Sequence, residues 1–120
     1  MPTPQTYQIY LADVSFDGQH GAKYRHALVM VPHVGSTRIY KITNQYHNKS
    51  SAVRAVYYPI REWQAAGLKK PSYVDVHKTY IVPTNQLVQR KLLGVLTDMD
   101  AVRLAEFVVQ HQSQIRHLSV

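Results

Sequence analysis

The chain has 120 residues, 45% of them apolar; that is one ordinary domain with enough core-forming side chains to exclude a wholly disordered polypeptide. It has no cysteine, which removes disulfides, thiolate zinc sites and thiol catalysis together; no apolar run approaches the roughly 20 residues that cross a bilayer. Fourteen Lys and Arg face seven Asp and Glu, a net charge of +7 with a pI near 9.8, and such an excess favours a polyanion, either nucleic acid or an acidic protein.

Tyr7–Val14 alternates as a strand, and Ser15–Lys23, punctuated by Gly18 and Gly21, is a loop. Arg25–Val31 ends in a continuous apolar run, the pattern of a strand buried on both faces. Pro32–Ser36 turns the chain into a third strand, Thr37–Thr43, and the polar, basic Asn44–Ser51 is a second candidate functional loop. Ala52–Tyr58, rich in Val and Tyr, is predicted as a fourth strand; Pro59 then opens a short helix through Ala66, with Gly67 as its left-handed stop. Tyr73–Val76 and Tyr80–Val82 are predicted as two short strands, and Leu92–Val95 as a last one. Thr97 is a good N-cap for a terminal helix whose first turn carries Asp98 and Asp100, and whose wide apolar face runs from Met99 to Val109. Short strands followed by a helix predict a mainly β (α+β) domain over residues 1–120, a small barrel with a packed C-terminal helix and flexible ends at 1–6 and 113–120. The first residues lack a basic region followed by an apolar run, so the expected location is the cytoplasm.

The positive residues fall in four groups, Lys23–Arg25, Arg38–Lys41, Lys49–Arg54 and Lys69–Lys70, with several of the nine tyrosines beside them. Arg and Lys hold phosphates and tyrosine stacks on unpaired bases, a combination suited to single-stranded RNA. Tyrosines equally favour half-buried strands, and most of the nine fit that role. The candidate RNA-binding residues are Lys23, Tyr24, Lys41, Asn44, Gln45, Tyr46, His47, Lys49, Arg54, Lys69 and Lys70. His20 and His26 are six apart, as are His111 and His117, a spacing that suits no compact helical metal pair. Trp63 is expected as a core or interface anchor.

The order of segments resembles the MazF/PemK family of toxin ribonucleases. Gly18-Gln-His-Gly-Ala-Lys-Tyr-Arg25-His-Ala-Leu-Val29 stands where that family has a Gly-containing loop leading to Arg-Pro-Ala-Leu-Val. Lys41-Ile-Thr43-Asn44 matches its Pro-Ile-Thr-Ser-like strand end, and Gly67-Leu-Lys-Lys-Pro-Ser-Tyr-Val-Asp75 its Gly-Leu-x-x-x-Ser-x-Val segment. Tyr80-Ile-Val82 with Asn85-Gln-Leu87, and Gly94-Val-Leu96 before an acidic helix start, complete a likeness running from about Ile9 to Val109. His26 replaces the family's proline and Asn44 its serine; the acidic residue usual in the first loop is not evident between Gly18 and Lys23.

This resemblance implies an SH3-like barrel of the MazF/PemK/CcdB type. It also implies a metal-independent ribonuclease that needs no cofactor, in which the RNA 2′-OH attacks the adjacent phosphorus. Arg25 would stabilise the phosphorane charge and Thr43 would hold a non-bridging oxygen, with His26 and His20 as further acid–base candidates. The implied partners are single-stranded mRNA, a second copy of the chain, and an antitoxin whose disordered acidic tail covers the basic groove. Two other readings stay open: a CcdB-like toxin that binds DNA gyrase without catalysis, and a catalytically silent SH3-like module that binds RNA or peptide.

Overall fold

The computed structural model describes residues 3–13 and 24–119, apart from the side chains at 13, 24 and 119. His20, Lys23, the Tyr24 side chain and the loop expected at 15–23 lie outside the described residues. Six strands form one antiparallel sheet: β1 (Gln8–Asp13), β2 (Tyr24–Val31), β3 (Ser36–Thr43), β4 (Tyr57–Pro59), β5 (Tyr73–Pro83) and β6 (Leu92–Val95). Their order across the sheet is β4-β5-β3-β2-β1-β6. The helices are α1 (Ser51–Arg54), α2 (Thr84–Val88), α3 (Asp98–Gln110) and α4 (Gln112–Ser119).

The apolar run of β2 is buried on both faces. Leu28 packs with Ile9, Tyr40, Ile42 and Val74 on one face, under α3 and α4. Ala27 and Val29 pack with Tyr10, Ile39 and Val82 on the other, which Leu87 of α2 covers. Thr97 caps α3, its Oγ1 accepting from the Asp100 N–H at 3.3 Å. Of the apolar face expected on α3, Leu104 is buried and Phe107 and Val108 are half-buried against the core, whereas Val102 and Val109 point to solvent. Residues 113–119, expected as a loose end, belong to α4, whose Ile115 and Leu118 pack on the core. Trp63 packs against the same core.

Three further elements differ from expectation. Val53, Val56, Tyr57 and Tyr58 favour a strand by type, but the Ser50 hydroxyl accepts from the Val53 N–H at 3.3 Å and starts a helical turn, leaving only Tyr57–Pro59 to pair. Residues 61–67 are a run of turns rather than a helix, though Gly67 takes the expected positive φ, 93°. The two short strands around His77 are one, β5: Asp75 faces Lys41 and Thr79 faces Tyr40, so residues 76–78 are an insertion that bends the strand without ending it.

The sheet is not closed by strand pairing, because β4 and β6 are its two edges. Its gap is bridged at two glycines. A Cβ on Gly67 would lie 2.2 Å from the Leu93 carbonyl oxygen, and one on Gly94 would lie 2.1 Å from that of Ala66. The segment after β4 therefore rests backbone to backbone on β6, an approach that only glycine at both positions permits.

Candidate functional site

Antiparallel strands bring alternate ends of the chain segments to a single rim. Leu11 faces His26, His26 faces Ile42, and Ile42 faces Val74. The pairing of β2 with β3 ends there, Arg25 and Thr43 each lie one residue beyond it, and Thr43 itself faces Tyr73. Arg25 and Thr43 therefore come to the same end of the β2–β3 ladder although 18 positions separate them in the sequence. The Leu11 N–H donates to the Lys91 carbonyl at 2.8 Å, adding the start of β6 to the same rim.

A cleft of about 490 Å³ opens there, lined by Arg25, His26, Thr43, Asn44, Gln45, Lys69, Lys70, Ser72 and Lys91 over an apolar floor that includes Leu11, Ile42, Leu68 and Leu93. Among the described residues that line it, none is acidic. Among the described residues no carboxylate pairs with Arg25, Lys69, Lys70 or Lys91. Among the described residues the cleft therefore gathers positive charge with no carboxylate to offset it, beside a wall of low polarity, conditions that strengthen attraction for an anion.

Thr43 is oriented by its neighbour. The Gln45 backbone N–H donates to Thr43 Oγ1 at 3.0 Å, which uses an acceptor site of the hydroxyl and leaves its O–H available to donate to an oxyanion. The loop that follows is tied together by side-chain amides: Gln45 Nε2 donates to Asn44 Oδ1 at 3.3 Å, and Asn48 Nδ2 to Gln45 Oε1 at 3.2 Å. Tyr46 stacks on Tyr73, ring centroids 4.4 Å apart and planes 11° from parallel, and so anchors the loop to β5. The His26 ring is half-buried between β1 and β3, and burial lowers its pKa from the ordinary 6.5. It is neutral at pH 7, with one nitrogen to donate and one to accept.

Seven of the residues singled out in the sequence meet in this cleft: Arg25, His26, Thr43, Asn44, Gln45, Lys69 and Lys70. Five do not line it. Lys41 lies 3.8 Å from the buried Asp75 carboxylate, whose other oxygen bonds the His77 ring and backbone N–H. Tyr46 is half-buried against the core, with the edge of His47 against its ring and the Arg54 guanidinium 5.7 Å from its centroid. Lys49 is exposed outside the cleft. Lys91 and Ser72 line the cleft and were not singled out. Lys91 carries no local signal, since its place depends on the pairing of β6 with β1.

No protein-family model matches the sequence. No curated protein matches it either. Solved structures do resemble it. The Mycobacterium tuberculosis toxin MazF-mt6 superposes with a TM-score of 0.66 at 21% sequence identity, covering 88% of this chain and 96% of that one. An endoribonuclease from a mycobacterial species gives 0.65 at 13% identity, with 94% of each chain covered. Nearly whole-chain superposition at such identities is a likeness of architecture: mainly β, with an open six-stranded antiparallel sheet and packed helices. Among the described residues no helix is long and apolar enough to cross a membrane. The chain has the fold of the MazF/PemK-type toxins.

Proposed function

We propose that this chain is a sequence-selective, metal-independent endoribonuclease toxin, an mRNA interferase of a type II toxin–antitoxin system, acting on single-stranded RNA in the cytoplasm. The observation that carries the proposal is the meeting of Arg25 and Thr43 in one cationic cleft, on a fold shared with a protein described as an endoribonuclease. Gyrase binding requires neither residue in such a cleft, and a silent binding module does not require a hydroxyl held by a backbone N–H.

In the proposed reaction the RNA 2′-OH attacks the adjacent phosphorus and the bond to the 5′-oxygen breaks, leaving a 2′,3′-cyclic phosphate and a 5′-OH. The 2′-OH loses a proton and the departing oxygen gains one, so no water is consumed in this step. The Arg25 guanidinium stays charged throughout and donates two parallel hydrogen bonds to the non-bridging oxygens, where charge builds in the transition state. The Thr43 hydroxyl donates a third. Neutral His26, which lines the same cleft, accepts or returns a proton. Asn44 and Gln45 present amide groups to the base edges at the lip of the cleft, and Lys69 and Lys70 hold the backbone. DNA lacks the attacking hydroxyl, so it binds without being cut.

The same basic cleft suits the acidic, disordered tail of an antitoxin, which would fold on binding and bury the catalytic residues. A homodimer is the proposed assembly.

The test is incubation of the purified protein with mixed-sequence single-stranded RNA in EDTA, alongside Arg25→Ala. Discrete fragments ending in a cyclic phosphate are expected from the native protein, with the rate reduced at least about a hundredfold in the variant, the cost of losing one transition-state donor. RNA left intact by the native protein over a broad pH range, at high protein concentration, overturns the proposal.

A further inference from the structure

We propose that Lys91 holds the phosphate next to the one held by Arg25, so that the cleft is a track for an extended strand rather than a pocket for one phosphodiester. Taking the Arg25-bound phosphate as the scissile one rests on the nuclease reading above; the phosphate track itself does not.

Placement comes first. The backbone of Lys91 is tied to β1 through the Leu11 N–H, and β1 lies beside β2 on the side away from Thr43. Lys91 and Thr43 thus flank Arg25 on opposite sides along the rim. Lys91 sits about 10 Å from β2, two strand spacings away, a gap that extended Lys and Arg side chains narrow from both ends.

Rigidity comes second. Gly67 precedes Lys69 by two residues and Gly94 follows Lys91 by three, and their backbones touch: the Gly67 Cα lies 3.3 Å from the place a Gly94 Cβ would take. The wall bearing Lys69 and Lys70 and the wall bearing Lys91 are therefore joined at their base, which fixes the width of the track. Charge comes third. Lys91 is exposed and lines the cleft, and among the described residues no acidic one lines it. A row of like charges converging on an apolar floor repels itself unless an anion lies between them.

The experiment uses a fluorescent 2′-deoxy strand, which keeps the phosphates but lacks the attacking hydroxyl. Binding is followed from about 50 to 200 mM salt for the native protein, Lys91→Gln, and Lys78→Gln, an exposed lysine over the Tyr80 ring away from the cleft. Lys91→Gln is expected to lower the slope of log affinity against log salt by about 0.7, the value for one phosphate contact on a single strand; Lys78→Gln leaves it unchanged. Neutral methylphosphonate linkages are then placed singly along the strand. One linkage should weaken the native protein but not Lys91→Gln, and it should be the neighbour of the linkage that couples in the same way to Arg25→Gln. An unchanged slope, or equal losses in native and Lys91→Gln proteins at every linkage, overturns the assignment. Coupling at two neighbouring linkages together with RNA left intact would remove the nuclease reading and leave the phosphate track standing.

Discussion

At the cleft, Arg25, Lys69, Lys70 and Lys91 gather around one cavity, and none has a carboxylate partner among the described residues. At the start of α3 the situation is reversed. Asp100 is fully buried, and its carboxylate accepts from the Tyr58 hydroxyl at 2.5 Å, the Arg61 N–H at 3.0 Å and the Glu62 N–H at 2.8 Å. Burial and then the bond to Asp100 push the Tyr58 phenol well above its ordinary pKa, so it stays a donor at any physiological pH. A buried carboxylate that accepts three hydrogen bonds holds the fold in one arrangement; charges left open at a rim add little to folding and remain free for a ligand. The two regions are joined by the chain between them. Asp100 pins the segment after β4 at Arg61 and Glu62, and that segment runs on through the Gly67 contact to Lys69 and Lys70.

If this division holds, stability and activity separate by region. Asp100→Ala leaves a phenol and two backbone N–H groups without their acceptor, which should lower the unfolding free energy by about 3 kcal/mol. The shift is read from the denaturant midpoint. RNA cleavage per folded molecule should change little by comparison, and a loss of activity much greater than the loss of folded protein would show that the corner also sets the cleft.

Thr43→Val makes the opposite separation. It keeps the shape of a half-buried strand residue while removing the hydroxyl that accepts from Gln45 and that the proposed reaction uses as a donor. The expected result is a drop in kcat of about tenfold to a hundredfold, with less than about 1 kcal/mol lost in unfolding free energy. Thr43→Ser should recover most of the rate. A serine variant as slow as the valine would assign Thr43 a packing role.

What could be read from the sequence divides along the same line between local and distant causes. β2 and β3 follow from their apolar runs, and α3 from Thr97 and its acidic first turn, because those signals lie within the element. The turn at Ser50 was hidden by Val53, Val56 and the tyrosines, whose strand preference is satisfied only at Tyr57–Pro59, where β5 supplies a partner. The polar run His77-Lys78-Thr79 looked like a break, yet an inserted stretch can stay in a ladder when the strands on either side keep their register. The bridging of the sheet edges by Gly67 and Gly94 has no local signature, and neither does the Lys91 position that depends on it. Arg25 and Thr43 were singled out by resemblance to a family pattern; their adjacency is a property of register that no periodicity in either segment contains. Lys41 stood out for its charge, which in the fold lies against Asp75.

The smallest expected effect concerns His26, the one histidine among the described residues that line the cleft. Its folded pKa is lowered by burial, whereas in the unfolded chain it titrates near 6.5. Between those two values the unfolded state binds more protons than the folded one, so stability rises with pH across that window. The benefit of a neutral ring is fully present above about pH 6.5 and is lost as the pH falls toward the folded value. Denaturant midpoints from about pH 7.5 to 5 should therefore fall more steeply for the native protein than for His26→Gln, while contributions from the other histidines cancel in the difference. Parallel midpoint curves would mean that the ring accepts its proton in the fold as readily as outside it. His26 would then have to be counted with Arg25, Lys69, Lys70 and Lys91 as a further source of positive potential just below neutral pH, and acid would tighten anion binding at the cleft instead of loosening the fold beneath it.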